Sequence, residues 1–253
     1  MGTASAMPLA DKHQSAQALS VHGRWFIIDC GDGIQRLMMK NHVPWMKVDA
    51  VFISHIHGDH VFGIFGFLSS MGMMGRHAPL AVYGPGALGP VIKFFLSYWG
   101  EGLPYRIDFH PLKMRGKEVV LETGPMTVSA FPLNHGIETF GFLFRENRPF
   151  DAVSYAYCSD TAAMPELSEW VRGVTVLYHE TTYLMAHEDK AAEHHHSTTR
   201  DAARLALEAG ASKLIIGHYS SRDRDIRLYE SECREIFPET YAAKDGDVFD
   251  FGK

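Results

Sequence analysis

The stretch Ser54-His55-Ile56-His57-Gly58-Asp59-His60 decides how this chain is read. It follows Val48-Asp49-Ala50-Val51-Phe52-Ile53, whose β-branched and aromatic content is that of a short buried strand. Gly58 permits a sharp bend beside the histidines. A strand ending in such a loop aims three imidazoles and a carboxylate at one spot. Imidazole and carboxylate suit zinc or a similar divalent ion, and thiolates are not needed. A lone histidine is more often a surface or hydrogen-bonded core residue, but His-x-His-x-Asp-His at a strand end is a metal-ligand pattern.

Bulk properties frame that loop. A chain of 253 residues can form one large domain with a full core, or two small ones. An apolar share of 46% and a charged share of 21% are ordinary for a soluble globular protein. With a net charge of −6 the whole surface is no polyanion binder, so nucleic acid would need a local basic patch. Cys30, Cys158 and Cys233 make no disulfide framework and fit a reducing compartment. No apolar run reaches the length of a membrane span, and no secretion pattern opens the chain. A soluble, cytoplasmic protein without membrane contact is expected.

Outward from the motif, strands are expected at 18–21, 25–30, 80–83, 105–110, 118–121, 126–133 and 140–144, with helices at 34–40 and 91–99. The Met-, Phe- and Gly-rich stretch 61–74 is apolar on nearly every side. It fits a buried helix, or a helix with one face against a second subunit. After residue 150 strands are expected at 155–158, 174–178 and 213–216, and helices at 165–171, 198–209 and 224–236. Residues 241–251 suggest two short strands around Asp245-Gly246. Strands with interleaved helices in both halves predict two packed sheets with helices outside, an α/β architecture in a single domain, 1–253.

One loop rarely closes two metal sites, and other strand ends carry ligand types. His135 follows strand 126–133, Asp160 follows 155–158 and His218 follows 213–216. Singly each is more often structural. Together with 54–60 they would build a metal pocket at one edge of the sheets.

The set Ser54 to His60, Asn134-His135-Gly136, Ser159-Asp160-Thr161 and Gly217-His218-Tyr219-Ser220 resembles the metallo-β-lactamase superfamily. Further stretches resemble ribonuclease Z, the transfer-RNA 3′ processing endonuclease. These are Ile28-Asp29-Cys30-Gly31-Asp32-Gly33-Ile34-Gln35, Tyr178-His179-Glu180-Thr181-Thr182-Tyr183, His196-Ser197-Thr198 and Ser220-Ser221-Arg222. The similarity runs over nearly the whole chain in the family's order. It implies an αββα four-layer sandwich of two mixed sheets. It implies two zinc ions, with Mn or Fe as alternatives, one held by His55, His57 and His135, the other by Asp59, His60 and His218, with Asp160 bridging. Two metals about 3.5–4 Å apart hold a hydroxide and neutralise phosphodiester charge. Asp59 is implied to orient that nucleophile and accept its proton. Glu180 and His196 match the pair that protonates the leaving ribose oxygen, since a carboxylate beside an imidazole favours the protonated ring. His194 and His195 match no family position and fit a solvated loop. Arg222 could clamp a substrate phosphate or form a surface ion pair. The family also implies a homodimer, for which 61–74 is a candidate face.

Three stretches depart from the family. Only 146–153 stands where ribonuclease Z carries the long arm that grips transfer RNA. The chain begins at Met1-Gly2-Thr3-Ala4-Ser5 where a strand usually precedes, as if trimmed. The loop Pro8-Leu9-Ala10-Asp11-Lys12-His13 replaces a Pro-x-Lys-x-Arg-Asn loop that senses the RNA 3′ end. The expected activity is zinc-dependent removal of the 3′ trailer of precursor tRNA. The alternatives are an armless hydrolase of small phosphodiesters or of lactones, thioesters or sulfate esters, and a non-catalytic scaffold with structural metal.

Overall fold

The computed structural model describes residues 1–7 and 9–251, so Pro8, the first residue of the loop 8–13, lies outside the described residues. The chain divides into two compact units, Met1–Lys113 and Met114–Lys253.

In the first unit β1 (Gln17–Val21) and β2 (Arg24–Ile28) form an antiparallel hairpin. Its two-residue turn, His22-Gly23, has φ of 49° and 79°. Two successive positive φ values match the right-handed twist of the flanking strands. Then follow α1 (Ile34–Lys40), β3 (Val48–Phe52), α2 (Gly58–Val61), α3 (Ile64–Met73), β4 (Leu80–Pro85), α4 (Leu88–Trp99) and β5 (Ile107–Leu112). The sheet runs β1-β2-β3-β4-β5, parallel from β2 onward. Parallel strands covered by helices are apolar along their length, which is why 48–53 reads as one apolar run. Val51, Ile53 and Val82 meet Ile34, Met38, Ile64, Phe67, Ile92 and Phe95 in one core.

α3 buries Ile64, Phe67, Leu68 and Met71, the stripe of one helix face. Phe62 and Met73 point outward, so 61–74 is not buried all round. Its apolar residues divide between a core face and an exposed one.

The second unit contains β6 (Glu118–Glu122), β7 (Met126–Asn134), β8 (Glu138–Glu146), β9 (Ser154–Cys158), α5 (Leu167–Trp170), β10 (Val176–Glu180), α6 (Glu188–Glu193), α7 (Thr199–Ala209), β11 (Lys213–Gly217), α8 (Ile226–Arg234) and β12 (Thr240–Ala242). The sheet order is β12-β11-β10-β9-β8-β7-β6, antiparallel from β6 to β9 and parallel from β9 to β12. Parallel β9, β10 and β11 all end on the same side, so residues just past them share one sheet edge.

Residues 241–251 hold one strand, not two. β12 pairs with β11, and the chain then turns at Lys244, whose N–H donates to Asp247 Oδ2 at 2.9 Å. No described strand offers 248–251 a partner. The helix expected at 165–171 is one turn, α5. The segment 146–153 is a closed link between β8 and β9. Asn147 Nδ2 donates to Thr123 O at 2.9 Å, and Val153 N–H to Glu146 Oε2 at 2.8 Å. Phe150 at its tip is exposed.

Candidate metal centre

In the first unit β3 runs directly into the His-rich loop, and β2 ends beside it at Asp29. Asp29 is fully buried with φ 57°. Its Oδ1 accepts the Ser54 N–H at 2.7 Å, and its Oδ2 accepts the Ser54 hydroxyl at 2.9 Å. His60 Nδ1 lies 2.8 Å from the same Oδ2. Asp29 accepts both Ser54 donors, as an ionised carboxylate does, so His60 Nδ1 carries the proton and Nε2 the lone pair. That lone pair faces Asp59 Oδ2 at 3.4 Å. The Ser54 hydroxyl gives its one proton to Asp29, so at 3.0 Å from His55 Nδ1 it accepts. His55 therefore also presents Nε2. The exposed His57 ring stands edge-on to His55, 4.8 Å between centroids. A Cβ on Gly31 would come 2.6 Å from the Asp59 carbonyl, so the 29–33 turn packs this closely only because residue 31 is glycine.

In the second unit His135 follows β7, Asp160 follows β9, Glu180 ends β10 and His218 follows β11. His135 Nδ1 donates to the His195 carbonyl at 2.9 Å, which leaves Nε2 as lone pair, 3.5 Å from Asp160 Oδ2. Burial pushes the His135 pKa down against the pull of Asp160, so its ring is neutral and able to ligate. The other oxygen, Asp160 Oδ1, lies 3.3 Å from His218 Nε2. One carboxylate thus stands between two imidazoles, an oxygen toward each. Acceptors facing one another at such distances are what a cation would separate, and the donor set is the imidazole–carboxylate one of zinc-like ions.

Glu180 is fully buried. Its Oε1 accepts from Thr161 N–H at 3.0 Å, Ser197 N–H at 3.1 Å and His196 Nδ1 at 2.8 Å. Its Oε2 accepts from Thr182 N–H at 2.9 Å and Thr182 Oγ1 at 2.6 Å. Burial pushes this carboxyl up, but the charge of His196 and its hydrogen bond outweigh it and hold Glu180 below its ordinary pKa. The His196 Nδ1–H donates to this carboxylate. Ligand atoms of His135, Asp160 and His196, and those of Glu180, His196 and His218, lie within 4.8 Å of one another.

His194 is exposed and stacks on Tyr183, in keeping with a solvated loop. His195 departs from that reading through its backbone, because its carbonyl orients His135. Arg222 is exposed beside Ser220, whose Oγ accepts its N–H at 3.3 Å. The sequence reading gave no role to Asp29, Ser54 or Thr182, which set the ring tautomers. The available signal was a carboxylate ending an apolar strand at Ile28-Asp29, and a hydroxyl beside a ligand type at Ser54-His55.

Residues 24–219 match the family described as a beta-lactamase superfamily domain. A ribonuclease Z of Bacteroides fragilis (strain YCH46) is 33% identical, covering 97% of this chain and 95% of that protein. The chain belongs to the ribonuclease Z family. Another relative in that family, from Cytophaga hutchinsonii, is 35% identical over 98% of this chain and 94% of its own length. Among solved structures, human tRNase Z, short form, has a TM-score of 0.86 at 26% identity, covering 100% of this chain and 98% of that one. The two mixed sheets with their helices are thus the α/β metallo-β-lactamase fold, and this ribonuclease Z relative is a metal-dependent hydrolase with a divalent-metal site. The match to the B. fragilis protein extends over 290 residues although the chain has 253, so that relative carries residues with no counterpart here.

Proposed function

We propose that the chain is a zinc-dependent endoribonuclease that removes the 3′ trailer of precursor tRNA. The observation that carries this reading is the Asp160 carboxylate between the lone pairs of His135 and His218, beside a Glu180–His196 pair. In this reading His55, His57, Asp59 and His60 of the first unit act with the ligands of the second as one catalytic domain, 1–253. Two zinc ions, with Mn or Fe as alternatives, would be held by His55, His57 and His135 and by Asp59, His60 and His218, with Asp160 bridging. When bound, such ions neutralise phosphodiester charge and bring the pKa of water near neutrality, about 7 in favourable sites. Asp59 orients the attacking water and takes its proton. His196 gives its proton to the leaving 3′ oxygen, and Glu180 holds the ring protonated until then. Arg222 meets a phosphate of the RNA. Free, buried Cys30, Cys158 and Cys233 support a reducing, cytoplasmic location.

The test is cleavage of a 3′-extended precursor tRNA with the product end mapped, alongside Asp59→Ala. A single trailer cut, lost in the variant, is expected; parent activity no higher than that of Asp59→Ala would end the reading. The closed link at 146–153 favours a second reading, an armless hydrolase of small phosphodiesters or other esters. Cationic side-chain contacts with the phosphate backbone supply much of nucleic-acid affinity, and the described link at 146–153 is too short for an arm that would provide them. Hydrolysis of an aryl phosphodiester with the precursor left intact would select it.

A further inference from the structure

One hydroxyl joins Glu180 to His218. Thr182 Oγ1 lies 2.6 Å from Glu180 Oε2 and 2.8 Å from His218 Nδ1. A threonine hydroxyl has one proton to give. Glu180 already accepts three backbone N–H groups and His196, the surroundings of an ionised carboxylate, which takes protons and gives none. The hydroxyl therefore donates to Oε2, and its lone pairs face His218 Nδ1 and, at 3.2 Å, His196 Nδ1, whose shorter contact is with Glu180 Oε1 at 2.8 Å. Nδ1 of His218 must then carry the ring proton. Its Nε2 is the lone pair, 3.3 Å from Asp160 Oδ1. With the proton on Nε2 instead, Nδ1 and the hydroxyl oxygen would face each other as two acceptors. Ser54 repeats the arrangement in the first unit, donating to Asp29 at 2.9 Å and standing 3.0 Å from His55 Nδ1.

We propose that Thr182 is a positioning residue whose hydroxyl fixes the His218 ring tautomer and ties that metal ligand to the Glu180 carboxylate. This rests on the reading of His218 as a ligand and Glu180 as the partner of the proton donor. Partners of ligating imidazoles alter metal affinity by roughly 10–100-fold when removed. Thr182 would do so without touching metal or substrate, and it would link the metal side of the site to the proton-donor side through one side chain.

The experiment compares the full-length parent with Thr182→Val and Thr182→Ser. Valine keeps the β-branched shape and the backbone N–H that serves Glu180. Ring 15N and 1H chemical shifts of His218 are read in the zinc-free protein, with assignment from a His218→Gln variant. Zinc affinity is measured by competition with a chromophoric chelator. The parent is expected in the single Nδ1–H tautomer. Thr182→Val is expected to show a mixture with Nε2–H and roughly 10–100-fold weaker zinc binding. Thr182→Ser should restore both, which a purely space-filling role would not predict. An Nε2–H tautomer in the parent overturns the proposal even if valine does not fold. So does a folded Thr182→Val with the parent's tautomer and zinc affinity. Should the parent bind zinc with the expected tautomer yet cleave no precursor, the nuclease reading fails while the role of Thr182 stands.

Discussion

At the scale of single residues the site is a set of hydrogen-bond decisions. His60, His135 and His218 each have Nδ1 committed to a partner and Nε2 turned toward a carboxylate. These commitments place lone pairs where a cation fits. His196 differs, because its Nδ1 is bound to an ionised Glu180 2.8 Å away, which favours the imidazolium. A charged ring can give a proton; a neutral ligand ring cannot. His196→Ala should therefore slow cleavage of an alkyl phosphodiester by about 10²–10⁴-fold, the usual contribution of a general acid. An aryl phosphodiester that leaves as p-nitrophenolate needs no proton, so its rate should fall far less than that of the alkyl substrate. Equal losses on the two substrates would remove His196 from the acid role. The clustering itself was legible only jointly: one His or Asp past an apolar run says little, but several at successive strand ends beside His-x-His-x-Asp-His point to one site. Their orienting partners were not. A serine or threonine hydroxyl has no spacing signature, and its role follows only from which of its neighbours must accept.

Elements were legible to the extent that their periodicity was their own. The stretch 34–40 shows helical spacing, and α1 occupies those residues. α7 begins where a capping box can form, since Thr198 accepts from Asp201 N–H while the Asp201 carboxylate accepts from Thr198 N–H. α6 escaped because Glu188-Asp189-Lys190-Ala191-Ala192-Glu193 buries one residue, Ala191, and shows no apolar stripe. The stretch 241–251 misled in the other direction: its first residues pair with β11 as β12, and no described strand offers 248–251 a partner. α4 carries more apolar surface than its core needs. It buries Leu88, Ile92 and Phe95, while Val91, Phe94, Tyr98 and Trp99 form a second, exposed stripe. Val91, Phe94 and Trp99, with Phe65 of α3, line a groove of about 450 Å³. Exposed aromatic stripes of this kind are frequent at interfaces. Should the chain self-associate, as the family resemblance implies, this stripe on α3 and α4 is the expected contact. Phe94→Glu should weaken self-association by about 2 kcal/mol, roughly thirty-fold in the dimer Kd, the scale of an aromatic anchor. Analytical ultracentrifugation over a concentration series reads that shift, and an unchanged dimer would move the interface elsewhere.

At the scale of the whole molecule the open question is whether metal acts on both units. Each unit, taken alone, already sets acceptors against one another: Asp59 faces His60 in Met1–Lys113, and Asp160 faces His135 and His218 in Met114–Lys253. A ligand that binds only the folded state stabilises it by mass action. Above the dissociation constant, each tenfold rise in free zinc should add about 1.4 kcal/mol. The units Met1–Lys113 and Met114–Lys253 fall between domains of 60–100 residues, where about 1 kcal/mol moves Tm by roughly 4–8 °C, and those of 150–250, where it moves Tm by roughly 2–4 °C, so each such step is a rise of several degrees. Scanning calorimetry of the chelator-treated chain, titrated with zinc, reads the effect. If the ligands of both units serve one pair of ions, the melting of both should rise together and by similar steps. If zinc uses only the second unit's Asp160, His135 and His218, a two-step trace should appear in which only one step moves. Absence of any shift at free zinc well above micromolar would mean that these acceptor pairs are not a metal centre, and with them would go the zinc-dependent reading of the enzyme.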